Sequence, residues 1–443
     1  MNNLGDSVHH EDARRLSPAR RAFTSFTTRW FLIPQGTGIL AIVLNQLPYQ
    51  FHGLHTISVV FWFLNIVLLA AMLAIFLLRL LASPRVVARS IATDTTEAAC
   101  TASISIAFMS CIQMLSLVVI PSWGGRGWSL AVYILWWANC AFAVLACIGL
   151  PDVFVRSIRS EGGLARSFTP VVQLPLIAAL TSAAGAGTLC QSAVLGAAQK
   201  VPMIVVAYLE IGLALPTVLA FDVLYLARLL QPWEEPAGSH HEFPPEQMYS
   251  HMVLCGPWGQ SSFALQTLGK AVFQLKGGFG ASGQAALLFS NQGADTVAFA
   301  SILVGLVNWG QGTFWWAFAI VSITRSVVAR LKQNHSIAFH LSLWATVFPW
   351  GVYANSAIQL GRTLPSAAFK IWSTVLVVIL VLIWFLCSQV VYETMIEFVD
   401  KSVQVPNAVK AKWTAEAKKW SLPYWHFARL AIHCRILIPT RCY

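Results

Sequence analysis

Charge is what this sequence has least of. Only 11% of its 443 residues are Asp, Glu, Lys or Arg, while 57% are hydrophobic. A soluble domain carries about 25% charged residues, so folded domains standing in water are excluded. Enzyme signatures are lacking too. There is no phosphate-binding Walker loop, no dinucleotide fingerprint behind a strand and no His-Glu-x-x-His zinc motif; neither an enzyme nor a cofactor nor a metal is expected. The nine cysteines (Cys100, Cys111, Cys140, Cys147, Cys190, Cys255, Cys387, Cys434 and Cys442) form no Cys-x-x-Cys pair, and seven lie inside apolar runs. That argues against a zinc ribbon or a disulfide framework and leaves them as small apolar residues. His9–His10 and His240–His241 are adjacent pairs in polar segments, and adjacent residues do not share a helix face. Residues 1–22 hold Asp6, Glu11 and Asp12 beside Arg14, Arg15, Arg20 and Arg21, with no short apolar core and cleavage site. They are not a secretory signal and read as a disordered cytosolic tail.

What is present is long apolar runs. Bounded by Pro, Gly and charge, they predict ten helices at 26–46, 54–81, 98–120, 128–151, 169–192, 201–229, 248–268, 295–324, 337–360 and 367–391. A bilayer core of about 30 Å takes about 20 apolar residues per helix, and each backbone group there must be paired within its own segment. The expected fold is an all-α integral membrane protein. A transmembrane domain over 26–395 lies between a tail at 1–25 and a basic, aromatic tail at 396–443. Basic residues orient it. With the N-terminus in the cytosol, only Arg126, Lys200, Lys270, Lys276, Arg362 and Lys370 of the 29 Lys and Arg fall on the far side. That asymmetry favours an even number of spans with both ends in the cytosol. The loop 230–247, with Glu234, Glu235, Glu242 and Glu246, fits least well, but acids contribute little to the rule. The net charge of +11 therefore reads as a topology signal and not as a nucleic-acid footprint. In 407–435, Lys410, Lys412, Lys418 and Lys419 alternate with Trp413, Trp420, Trp425 and Phe427. This suits either a segment lying on an anionic leaflet or a disordered tail.

The odd and even helices differ in kind. Helix one carries Pro34, Gly36 and Gly38; helix five Pro170, Pro175, Gly185 and Gly187; helix seven Gly256, Pro257 and Gly259; helix nine Pro349 and Gly351. Helix three has small and hydroxyl residues instead. The even helices are richer in Leu, Val, Ile and aromatics. Small residues let helices approach closely, and proline, which kinks a helix, is tolerated in a membrane where protein or a water-filled cavity re-pairs the backbone. The odd helices are thus expected to form an inner ring and the even ones a lipid-facing outer ring. Helices five, seven and nine carry no charged residue. The ring offers Thr37, Ser103, Ser105, Gln173, Thr181, Gln260, Ser261, Ser262 and Thr346 instead. Neutral donors and helix-end dipoles bind an anion weakly, and weak binding suits fast passage. Glu210 and Asp222 lie on helix six. Each is either a proton site or a hydrogen-bonding group between helices.

Several stretches carry a resemblance: "SFTTRWFLIPQGTGILAIVLNQLP", "WWANCAFAVLACIGLP", "PPEQMYSHMVLCGPWGQSSFALQTLG", "LVNWGQGTFWWAFAIVSI" and "FHLSLWATVFPWGVYANSAIQLG". Over about 26–395 the chain resembles the voltage-dependent anion channel and C4-dicarboxylate/malic acid transporter family. That family includes the fungal sulfite efflux pumps, the bacterial tellurite-resistance proteins and the plant slow anion channels. The third stretch looks most like the sulfite efflux branch. The resemblance implies ten helices in quasi-fivefold hairpins, a pore lined by the odd helices, a homotrimer in the plasma membrane and a pore-blocking phenylalanine matched by Phe348. Pore-lining and anion-binding candidates are then Gly36, Thr37, Gly38, Gln173, Gly256, Pro257, Gly259, Gln260, Ser261, Ser262, Thr346 and Pro349. The implied activity is sulfite efflux through a channel-like pore. Proton-coupled transport of malate through Glu210 or Asp222 is the second reading. A non-transporting membrane scaffold or sensor is the third, motivated by departures from the family pattern in helices three, five and nine.

Overall fold

A computed structural model describes residues 26–160, 168–230, 248–276, 289–332 and 341–403. Both tails (apart from the helical backbone up to Val403), the loop 230–247 beyond Leu230 and the two His pairs lie outside the described residues. Among those described there is no strand. Ten long helical rods follow one another: α1 (Leu32–Gln46), α2 (Leu54–Ala82), α3 (Thr95–Trp123), α4 (Arg126–Ser160), α5 (Leu174–Ser192), α6 (Ala197–Leu230), α7 (Cys255–Gln274), α8 (Asn291–Lys332), α9 (Val347–Thr363) and α10 (Ala367–Val403). A short surface helix at Pro84–Thr93, unforeseen in the apolar pattern, joins α2 to α3.

Seven rods are long and apolar enough to cross a membrane. The other three are α1, α7 and α9. As regular helix α1 has only 15 residues and α9 only 17, while α7 carries Gln260, Ser261, Ser262, Gln266 and Thr267 along its length. Each is lengthened by a 3-10 turn at its start: Thr28–Phe31, Tyr249–Leu254 and Leu341–Thr346; α5 has one too, at Pro170–Gln173. The prolines explain the change of winding. Pro34, Pro175, Pro257 and Pro349 all fall at the second or third residue of the α-helix that follows. There the missing N–H falls at the junction between the tighter 3-10 turn and the regular α-helix, where the pairing pattern changes. These prolines mark the start of regular helix and do not kink a span. Rod α3 interrupts its regular winding twice, at a break around Ala102 and in a π-turn over Leu115–Val119 that ends just before Pro121.

Burial separates two layers. In the apolar stretch of α5, 94% of residues are buried, and in that of α3, 67%; the corresponding shares of α2, α4, α6, α8 and α10 are 22 to 33%. Rods α1, α7 and α9 are buried almost throughout. The inner five close on themselves: α1 packs on α3, α3 on α5, α5 on α7, α7 on α9, and α9 back on α1. Each outer rod bridges two inner ones, as α2 does α1 and α3. Rod α10 completes the set through side chains: Trp350 Nε1 donates to Leu376 O at 2.8 Å, and Trp384 Nε1 to Thr37 Oγ1 at 3.1 Å. The outer faces present Phe63, Val67, Leu145, Leu209, Phe299 and Leu382, apolar groups that lipid tails solvate.

Glycine makes the inner contacts possible. A Cβ at Gly259 would stand 2.9 Å from the backbone N and Cα of Tyr353, and one at Gly38 2.6 Å from Ser110 Cβ. Gly259→Val is therefore expected to destabilise the fold by about 1–3 kcal/mol, the usual cost of overpacking. Gly127→Ala, with nothing near its added methyl, should leave it unchanged. Thermal unfolding in detergent distinguishes the two, and equal midpoints would contradict the close crossing.

Candidate functional site

The five inner rods are parallel, because their N-terminal turns touch one another in a second, smaller ring. Inside that ring is a cavity of about 190 Å³, with wall residues from all five rods or their lead-in turns: Gln35, Cys100, Thr169, Val253 and Phe348 are one from each. Each rod contributes the positive end of its helix dipole, and five such ends around one space favour an anion.

Charge at the rim is arranged so that acids do not oppose this. Arg29 lines the cavity, and its Nη2 lies 3.8 Å from Asp94 Oδ2. Asp94 also caps α3, accepting from the backbone N–H of Thr96 at 2.8 Å and of Glu97 at 3.1 Å. Glu97 is buried. It pairs with Arg79 at 3.2 Å and accepts from Thr28 N–H at 3.0 Å, while the Thr28 hydroxyl donates to Glu97 O at 2.7 Å. A buried carboxylate without such partners would strongly disfavour the mouth; here it ties α2, α3 and the turn before α1 together.

Phe348 is 2% exposed and lines the inner side of the cavity with Pro349. Beyond it the rods close up: a Cβ at Gly256 would lie 3.2 Å from Ile177 Cδ1 and 3.5 Å from Pro349 Cβ. Of the candidates named from sequence, Phe348 and Pro349 are on the cavity wall. Gly36, Gly38 and Gly259 face neighbouring helices. Thr37 donates to Ile33 O at 2.9 Å and meets α10 through Trp384. Ser261 accepts from Asn308 Nδ2 of α8 at 3.0 Å; Ser262 donates to Gly305 O of α8 at 2.5 Å and accepts from Ser356 Oγ of α9 at 2.6 Å, so it sits where α7, α8 and α9 meet. Thr346 bonds to Leu343 O in its own turn. Pro257 and Gln260 are buried in α7, and Gln260 Oε1 is unpaired. Ser105 bonds to Asn139 of α4, Thr181 to Ile177 O, and Ser103 Oγ is buried and unpaired. Gln35, Thr169, Ser342 and Trp344, which do line the cavity, were not singled out. The signal was present: Gln35 sits between Pro34 and Gly36, and Trp344 one turn before Phe348.

The two acids of α6 differ sharply. Asp222 accepts from Gln173 Nε2 at 2.7 Å, Trp258 Nε1 at 2.7 Å and Trp315 Nε1 at 2.8 Å. It joins α6 to the turn before α5, to α7 and to α8. Glu210 is equally buried, and its polar neighbours are only the Ser182 hydroxyl and the Cys140 thiol.

Residues 25–390 match the family described as voltage-dependent anion channel. Over 368 residues the chain is 28% identical to the sulfite efflux pumps SSU1 of Arthroderma benhamiae and Trichophyton rubrum, covering 82% of this chain and 89% of each of those. It is 23% identical over 379 residues to the malic acid transport protein of Schizosaccharomyces pombe, covering 83% and 78% respectively.

Removing the Asp222 carboxylate strands three buried N–H donors, each costing about 1–3 kcal/mol. Asp222→Ala should therefore lower the midpoint of thermal unfolding by several degrees. Glu210→Gln, which keeps the shape and an oxygen that can accept from Ser182 or Cys140, should shift it little. The reverse order would show that Asp222 is not the pin between these helices.

Proposed function

The chain belongs to the voltage-dependent anion channel family, and from that membership we propose that it passes small anions across the membrane along the axis of its inner ring, with sulfite as the physiological substrate. The observation that carries this reading is the convergence of five helix N-termini on one cavity whose described wall is neutral apart from Arg29 and includes Phe348. Arg29 and the dipoles raise the local anion concentration; hydroxyls and amides replace part of the hydration shell without holding the ion fast. Phe348 closes the axis by filling it and keeping water out, and its rotation opens it. The chemistry is passage and not catalysis.

The rest of the architecture follows the same reading. All ten rods cross the bilayer as one domain over 26–395, the cavity faces the cytosol with both chain ends, and three copies assemble in the plasma membrane with one pathway each. The sulfite efflux relatives support the substrate. The malic acid transport relative supports a second reading, proton-coupled dicarboxylate transport, in which the buried Glu210 would hold the proton. Among the described residues the rim holds one cation, shared with Asp94, which suits a monoanion better than a dicarboxylate.

Proteoliposomes loaded with sulfite, nitrate, chloride or malate, with and without a pH gradient, test this. Sulfite flux independent of the gradient, raised about tenfold by Phe348→Ala, is expected for a steric block near the scale of 1.4 kcal/mol per decade. Malate flux that requires the gradient and is lost in Glu210→Gln would move the assignment to the dicarboxylate carrier. Silence for all four anions would leave a scaffold or sensor.

A further inference from the structure

Tyr353 of α9 is held in a slot on an outer rod. Trp309, Thr313 and Trp316 follow one another along α8, four and then three residues apart, so they share one face. The two indoles are about 10.5 Å apart by helical rise, and the Tyr353 ring stands between them. It stacks on Trp309 with centroids 5.1 Å apart and planes 5° from parallel, and on Trp316 at 5.5 Å and 21°. Its hydroxyl meets Thr313 Oγ1 at 2.9 Å on the floor of the slot. Both walls are braced by α10: Phe369 meets Trp309 edge-on at 5.2 Å, and Trp372 meets Trp316 at 5.7 Å. Trp350 closes the set, edge-on to Trp316 at 5.4 Å. Stacked and edge-to-face pairs are the arrangements aromatic rings prefer. Behind the slot, Gly259 brings the α7 backbone against that of Tyr353, and the ring has no room to back out.

This latch bears on Phe348, five residues earlier on α9. At 3.6 residues per turn, Trp350 stands about 160° round the rod from Phe348 and Tyr353 about 140°. Phe348 therefore meets the cavity from the side of α9 away from the aromatic slot. Turning α9 far enough to carry Phe348 off the axis would draw Tyr353 from between its two indoles. We propose that Tyr353 is a positioning residue for the pore block: its slot on α8 holds α9 at the rotation where Phe348 closes the axis. This rests on the reading of the axis as an anion path with Phe348 as its block. It adds that the block is set from outside the inner ring, by α8 and α10, and that the two stacked faces carry the effect and not the hydroxyl.

Sulfite flux in proteoliposomes is measured for Tyr353→Leu, Trp309→Leu and Tyr353→Phe, each with Phe348 in place and each combined with Phe348→Ala. With Phe348 in place, Tyr353→Leu and Trp309→Leu should raise flux about threefold or more, the scale of one lost aromatic pair. Tyr353→Phe keeps both stacks and should stay within about twofold of the unaltered protein. Combined with Phe348→Ala, none of the three should raise flux further, because the group they position is gone. A residue that merely supports the fold would act alike in both backgrounds. Trp309→Leu removes one wall without altering α9 and keeps the test open if Tyr353→Leu does not fold. An equal rise in both backgrounds, no rise in a folded Leu variant, or Tyr353→Phe as leaky as Tyr353→Leu overturns the inference and leaves anion passage standing. If Phe348→Ala alone fails to raise flux, or no variant passes sulfite, the reading beneath fails and this inference with it.

Discussion

Where Gly259 meets Tyr353, two helix backbones approach to a distance that only a missing side chain allows, and the inner ring depends on contacts of this kind. In hydrocarbon there is no hydrophobic drive between helices, so close packing and buried hydrogen bonds hold them. Rods rich in glycine, hydroxyls and amides cannot face lipid. They close on one another and are sealed by five outer rods whose Leu, Val and Phe can. Pro-x-Gly recurs at Pro34–Gly36, Pro257–Gly259 and Pro349–Gly351. The proline begins the regular helix, and the glycine one position past the next residue receives a neighbouring inner rod. One short pattern therefore sets both the lead-in turn and the seam.

The same arrangement sets the electrostatics. Because all five inner rods start at one end, their dipoles add there. The acids that come with the α3 start are neutralised in place, Glu97 by Arg79 and the backbone N–H of Thr28, Asp94 by the helix it caps and by Arg29. What remains toward the cavity is a mild positive field with neutral walls, the condition for an ion to enter without being trapped. Asp222 plays no part at the cavity; three nitrogen donors hold it between helices.

Much of this was legible in the residues. Length and hydropathy placed all ten rods, and the split between Gly/Pro-rich and Leu/Val-rich helices anticipated which are buried. Helix three lacked the Pro/Gly mark yet is buried like the other odd rods, because Ala, Ser and Cys serve as well where backbones must come close. The individual site residues were harder to read. Composition shows that Thr37, Ser261 and Ser262 belong to inner rods, but not which way they point: Thr37 and Ser261 bond to outer helices, and Ser262 lies between α8 and α9. A helix buried on every side has no amphipathic pattern to give its pore face away.

The claim at the centre is that the axis of the inner ring is the path. It is tested most directly by a single thiol at Ala345, which lines the cavity, in a background stripped of the native cysteines. An anionic methanethiosulfonate reagent should reach Ala345→Cys from one side of the membrane and stop anion flux. Flux that continues undiminished after the thiol is shown to be modified would place the path elsewhere.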